Sequence, residues 1–488
     1  MISGFVVFAL MARFLRPIDF GLVAFAALFI DIARGLMAGG IPDAVVKRKD
    51  WDDTAVSTAF WMNLGFGITF AVAVASIATP LAYLYGSASL AEIFLLLSIS
   101  LVIDSFRGVH EAKLRREFGY KVLALRTVVA SSIGGAIGVA MAFSGFGVWA
   151  LVVQRLMGTA LQTMVILWTV PWMPKLVFSR HECARIFEFG INLMGARLVG
   201  ELNTRVASLV VGVILGPVAL AFFRVATRTL TFLVSLTIKP IQTTAFSAFS
   251  RLKDAPAIGR AYVRLTRATA LVSFPVFLGA GATAPDFVVV CFGRQWEASG
   301  LIMSILALGV GPSTLLHFWG PALAALGRAR LILVSTLAML ATNAVTALAT
   351  VSFGVVAVAA GQAARVHVTA PFALSVLRRG IGLPIGQSLR SILEPGIAAG
   401  LMAITVVAAR VYLLEHLSPF PRLAICVALG ATVYVCLLLT VVRRYTAETM
   451  FELAPHLPGG VRRLLERFLW EIRCTAGDSR PPPPSPKD

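Results

Sequence analysis

The chain has 488 residues, 58% of them hydrophobic and only 14% charged, with a formal net charge of +19. A soluble protein of this length would divide into several domains with about a quarter of its residues charged. Long apolar runs exclude such a chain, and a helical membrane bundle accounts for them better than a barrel, whose strands would alternate in short runs. Lys and Arg gathered in cytoplasmic loops explain the positive charge before nucleic acid does.

In chain order, apolar segments centre near 1–12, 22–42, 57–84, 88–106, 120–144, 147–173, 186–214, 218–247, 265–292, 298–322, 329–352, 354–377, 391–413 and 421–442. This predicts an all-α integral membrane protein with about fourteen transmembrane helices. The first run is short: a dozen helical residues reach about 18 Å against roughly 30 Å of hydrocarbon. A native start upstream of Met1 is therefore expected. Loops after even-numbered helices are basic: Lys47-Arg48-Lys49, Lys113 with Arg115 and Arg116, Lys175 with Arg180, Arg251 with Lys253, Arg328 with Arg330, and Arg378-Arg379. Loops after odd-numbered helices are short and nearly uncharged, as at Gly86-Ser87-Ala88 and Ser352-Phe353-Gly354. The positive-inside rule then predicts that both termini of this inner-membrane protein are cytoplasmic. Past Arg444, residues 461–473 have the pattern of an amphipathic helix suited to an anionic leaflet, or to solvent, and 481–484 are a Pro run.

The two halves resemble each other at a spacing near 200 residues. Leu15-Arg16-Pro17 aligns with Leu215-Gly216-Pro217, Gly86 with Gly293, and Phe146-Gly147-Val148 with Phe353-Gly354-Val355. The predicted organisation is a first six-helix bundle over 1–175, a second over 176–380, two further helices over 381–444, and a cytoplasmic tail over 445–488. Six helices return the chain to the same side, so the repeats would be parallel, with a substrate path expected between the halves.

Charges inside a bilayer are costly, which makes each one a functional candidate. Arg197, Glu201 and Arg205 share one face of helix seven by their i, i+4, i+8 spacing. Arg224, Arg228 and Lys239 lie within about 60° of one another on helix eight. Arg126 and Arg155 add cations to helices five and six, so the set of substrate-binding candidates is cationic and asks for an anionic cargo such as phosphate. Snorkelling to a membrane face is the competing reading for Arg205 and Arg224. Asp31 with Arg34 reads as a structural ion pair first; Asp31 and Glu201 are the acidic candidates for ion coupling. His317 reads as a hydrogen-bonded interior residue before a proton sensor. Five cysteines, Cys183, Cys291, Cys426, Cys436 and Cys474, are scattered without CxxC spacing and suggest neither a disulfide framework nor a metal site; no cofactor is expected. Without a P-loop, HExxH or GxSxG, the chain is not read as an enzyme.

The blocks ARFLRPIDFGLVAFAALFIDIARGL, RREFGYKVLALRTVVASSIGG, GFGVWALVVQ, FEFGINLMG and VVGVILGPVALAFFRVATR, in this order, resemble the polysaccharide transporter family (O-antigen and exopolysaccharide flippases) of the multidrug/oligosaccharidyl-lipid/polysaccharide flippase superfamily. The resemblance covers nearly all of residues 1–440. It implies a flippase for undecaprenyl-diphosphate-linked oligosaccharides, with membrane lipids around it and a polymerase and chain-length regulator as candidate partners. Arg205 and Ala207 depart from an Asn/Asp pair frequent in the family. A drug exporter of the same superfamily is the alternative, and would more often carry acidic lumen residues. A polymerase or ligase would be expected to have a large periplasmic loop, which this chain lacks.

Overall fold

A backbone in lipid must satisfy its hydrogen bonds within its own segment, and the described residues do so as helices, with no strand among them. A computed structural model describes residues 2–48, 51–252, 254–382 and 385–440. The tail from 445 onward, including 461–473, lies outside the described residues. Helix α1 is Ile2–Phe14, α2 Pro17–Ala38, α3 Asp53–Ser76, α4 Ala88–Arg116, α5 Tyr120–Phe143, α6 Val148–Thr169 and α7 Arg180–Val210. After one turn of π-helix, Val211–Leu215, come α8 Gly216–Thr237, α9 Ala255–Phe292, α10 Glu297–Ser313, α11 Ala329–Val351, α12 Val355–Ile381, α13 Ile385–Ala408 and α14 Pro419–Thr440.

Eleven helical stretches among the described residues are long and apolar enough to cross a membrane. One of them, Arg180–Thr237, holds both α7 and α8. Helix α12 has 27 residues, and α1, with 13, is the short one anticipated from its length. The chain is an all-α integral membrane protein of about fourteen transmembrane helices.

Local chemistry sets the helix ends. Asp52 accepts hydrogen bonds from the amides of Thr54 and Ala55 to start α3, and Ser179 accepts from Glu182 to start α7. Gly86 and Gly293, paired by the repeat spacing, have φ of 60° and 103°; Gly147 and Gly354, likewise paired, have 55° and 93°. A side chain at any of these tight turns would be strained.

The chain packs as two units. The first comprises residues 1–232, 288–302 and 333–365; the second comprises 233–287, 303–332 and the described part of 366–488. In the second unit, Asp286 of α9 is 2% exposed and receives two arginines from the last helical pair. Arg422 of α14 donates to its Oδ1 from Nε at 2.9 Å and from Nη2 at 2.5 Å. Arg410, in the turn after α13, lies 3.6 Å from Oδ2 and donates to the Ala282 carbonyl at 3.2 Å. Tyr434 of α14 donates to the Leu271 carbonyl of α9 at 2.9 Å. Thus α13 and α14 are tied to α9 by charge as well as by packing. Asp286→Ala would leave two guanidinium groups facing an empty apolar site, at a cost of about 3–5 kcal/mol. Thermal unfolding in detergent, followed by size exclusion, is expected to show a markedly lower midpoint, with Asp286→Asn between the two. An unchanged midpoint in the Ala variant would mean that the cluster contributes no stability.

Candidate functional site

Besides the Asp286 cluster of the second unit, the first unit carries a longer set of intramembrane charges, and small residues make room for some of them. Asp31 and Gly35 on α2 and Gly39 just past its end recur every fourth residue. They face Arg205, Glu201 and Arg197 of α7, which recur every fourth residue in the opposite direction. A Cβ on Gly35 would come within 2.8 Å of the Glu201 side chain, and one on Gly39 would run into that of Arg197. Arg205 donates to Glu201 at 2.8 Å and to Asp31 at 3.2 Å. Arg197 donates to Asp43 at 2.7 Å. The shared face of α7 anticipated from its spacing is therefore occupied by ion pairs: Arg205 with Asp31 of α2 and with Glu201 of α7 itself, and Arg197 with Asp43 in the short helix Ile41–Lys47 that follows α2.

Asp31 is the centre of a second convergence. Arg155 of α6 donates to its Oδ1, and Arg34, one turn along α2, lies 3.7 Å from the same oxygen. Helix α6 also packs closely on α5, which offers it glycines: a Cβ on Gly134 would stand 3.1 Å from the Gly158 amide nitrogen, and one on Gly138 2.7 Å from the Gln154 Cβ. Arg34 also donates to Asp104 of α4, and its Nη2 reaches Ser100 and Thr159, each at 3.4 Å.

From Asp104 the charges continue along α4. Arg107 lies 2.9 Å from Asp104 Oδ1, an ion pair without the geometry of a directed hydrogen bond. It donates to Gln162 at 3.0 Å. Glu111 accepts from Arg115 at 2.5 Å and from Arg126 of α5 at 3.0 Å, and Arg115 reaches Asp43 at 3.5 Å. An unbroken chain of opposite charges thus runs from Glu201 through Asp31, Asp104 and Glu111 to Asp43 and Arg197. A small cavity of about 80 Å³ lies on it, walled by Asn63, Asp104, Arg107 and Glu111.

A larger cavity of about 430 Å³ opens between α1, α2, α5, α6 and α8, and Arg34 borders both. Its charged wall is Asp31, Arg34, Arg155, Arg224 and Arg228; its apolar wall includes Val7, Phe8, Met11, Phe20, Val23 and Leu151. One carboxylate therefore stands against four guanidinium groups. Asp31 holds Arg155, and Arg34 is shared with Asp104. Arg228 lies over the Phe8 ring at 5.0 Å. Arg224 has no carboxylate partner among the described residues, and the Nε of Arg155 is buried without a hydrogen-bond acceptor.

Of the residues singled out by sequence, Asp31, Arg155, Arg224 and Arg228 meet at this cavity. Arg126, Arg197, Arg205 and Glu201 join the ion-pair chain and are not among the lining residues. Lys239 belongs to the other unit. The Nε2 of His317 is buried without a hydrogen-bond partner, unlike the bonded interior histidine expected; it is the backbone carbonyl that accepts, from Gln242 at 2.9 Å. Asp104, Arg107 and Glu111 were missed, although their i, i+3, i+7 spacing on one apolar helix is the same signal that marked α7.

Residues 10–300 match the family described as polysaccharide biosynthesis protein. The succinoglycan biosynthesis transport protein ExoT of Rhizobium meliloti (strain 1021) is 24% identical over 442 residues, 89% of each chain. The teichuronic acid biosynthesis protein TuaB of Bacillus subtilis (strain 168) is 26% identical over 426 residues, 85% of each chain. Among solved structures, lipid II flippase MurJ in an inward closed conformation aligns with a TM-score of 0.73 at 14% identity, covering 89% of this chain and 96% of that one. An inward-facing multidrug resistance transporter of the MATE family aligns at 0.62 with 15% identity, covering 78% and 94%. At these identities the two structures establish a shared fold.

Proposed function

Since the chain belongs to the polysaccharide biosynthesis protein family, within the multidrug/oligosaccharidyl-lipid/polysaccharide flippase superfamily, we propose that it is a non-enzymatic flippase. It moves polyprenyl-diphosphate-linked oligosaccharides from the cytoplasmic to the periplasmic leaflet of a bacterial inner membrane, for export of a polysaccharide. Both termini are cytoplasmic in this reading, and the chain carries two parallel six-helix repeats followed by two further helices.

One observation carries the proposal: a cavity within the helical unit that sets four arginines against one carboxylate and backs them with an apolar wall. Arginine stays charged at any working pH, and its planar fork binds two phosphate oxygens at once. An apolar wall beside such a set suits an amphiphile that brings a diphosphate and a polyprenyl stem together. The relatives named for succinoglycan transport and for teichuronic acid biosynthesis support a glycan cargo. A drug exporter for cationic compounds would need the opposite wall charge.

Deletion of the gene tests the reading. The expected result is loss of surface polymer together with accumulation of the lipid-linked repeat unit on the cytoplasmic side, both restored by the wild-type gene. Normal polymer export in the deletion strain would overturn it.

A further inference from the structure

The cationic cavity contains its own anion. Asp31 is contacted by Arg34, Arg155 and Arg205, while Arg224, on the same cavity, has no carboxylate partner among the described residues. Three guanidinium groups converge on a carboxylate with two oxygens. Their donors outnumber what it accepts, as the unpartnered Nε of Arg155 shows. An anion with more oxygens and more charge is the better partner for such a set.

We infer that Asp31 is a stand-in for the cargo's phosphate: it occupies the arginines when the cavity is empty, is displaced when a diphosphate arrives, and reclaims them to drive release. The inference rests on the flippase reading above. Arg224 is the first contact, because no carboxylate among the described residues competes for it. Arg155 then exchanges Asp31 for phosphate. The displaced carboxylate keeps Arg34 and Arg205 as neighbours, and each of these has a second acid, Asp104 and Glu201 respectively, so no charge is stranded during the exchange. With the arginines alone, the site would bind the diphosphate tightly and give it up slowly. The carboxylate lowers affinity and thereby raises turnover, since binding that is not released is not transport.

The test measures binding and turnover separately. The full-length protein is purified into nanodiscs and titrated with undecaprenyl diphosphate, using undecaprenol as the uncharged control. Asp31→Asn keeps the shape and removes the charge. It is expected to bind the diphosphate about tenfold more tightly, about 1.4 kcal/mol, with undecaprenol binding unchanged. In the deletion strain the same variant is expected to export several-fold less polymer. Affinity and turnover moving in opposite directions is a signature that a merely structural aspartate would not produce. Should the single variant fail to fold, Asp31→Asn/Arg205→Gln, which removes one charge of each sign, is compared with Arg205→Gln alone and is expected to show the same tightening. Equal or weaker binding by the Asn variants, with wild-type binding intact, overturns the stand-in role and leaves the flippase reading in place. Failure of wild-type protein to distinguish undecaprenyl diphosphate from undecaprenol overturns both.

Discussion

Arg224→Glu is expected to abolish polymer export from cells whose membranes still hold the folded protein. Among the arginines of the cavity wall, Arg224 is well suited to separate function from folding. Arg155 holds Asp31, Arg34 holds Asp104, and Arg228 rests on Phe8. Replacing any of these disturbs a neighbour as well as the cavity. Arg224 has no carboxylate partner among the described residues, so its replacement orphans no acid. A hydrogen bond to a charged group contributes about 1.5–3 kcal/mol. Arg224→Gln is therefore expected to lower export about 10-fold to 100-fold. Arg224→Lys keeps the charge and loses the fork, so its effect is smaller. Arg224→Glu adds repulsion to the lost contact and takes export below detection. The measurement is surface polymer per unit of membrane-inserted protein in a deletion strain. Wild-type export from a well-expressed Glu variant would remove the cavity from the transport path.

Asp104→Ala is expected to act on folding instead, and strongly. Its carboxylate is 6% exposed as a residue and joins Arg34 to Arg107. Removing it takes from two largely buried guanidinium groups their closest acid and leaves only longer pairs, Arg34 with Asp31 at 3.7 Å and Arg107 with Glu111 at 4.0 Å. Breaking a buried pair costs about 3–5 kcal/mol, against a total stability of about 5–15 kcal/mol for folded domains. The variant should accumulate poorly and elute as aggregate from detergent. Removing charge of both signs should be milder: Asp104→Leu/Arg107→Leu replaces a pair by apolar groups, which is often close to neutral, and Arg34 keeps Asp31 at 3.7 Å. Recovery of monodisperse protein in the double variant, and not in the single, is the expected pattern. A single variant as stable as wild type would show that the chain of charges along α4 contributes no stability.

Helix existence and the distribution of charge were open to reading in the residues themselves, because lipid imposes its demand segment by segment. A run of about 20 apolar residues must close its own hydrogen bonds whatever surrounds it. A spacing of four along a helix puts Arg197, Glu201 and Arg205 on one face in any fold that keeps the helix. The same rule, applied to Asp104, Arg107, Glu111 and Arg115, places all four within about 80° of one another, so the missed stripe on α4 was legible too.

Partners were not. A helical spacing sets angles about one axis and leaves open how that axis is turned toward its neighbours. Asp31 and Arg34 were read as a local pair, yet Asp31 takes its closest contacts from Arg155 and Arg205, which are 124 and 174 residues away in sequence. Asp286 finds Arg422 across 136 residues. Whether an arginine is spent on an internal carboxylate, like Arg197 on Asp43, or has no carboxylate partner among the described residues, like Arg224, depends on which acids the packed helices bring within about 4 Å. Glycines such as Gly35, Gly134 and Gly138 let those helices approach. Charge inside the membrane is therefore a property of the residues, while the excess of charge at one cavity is a property of the packing.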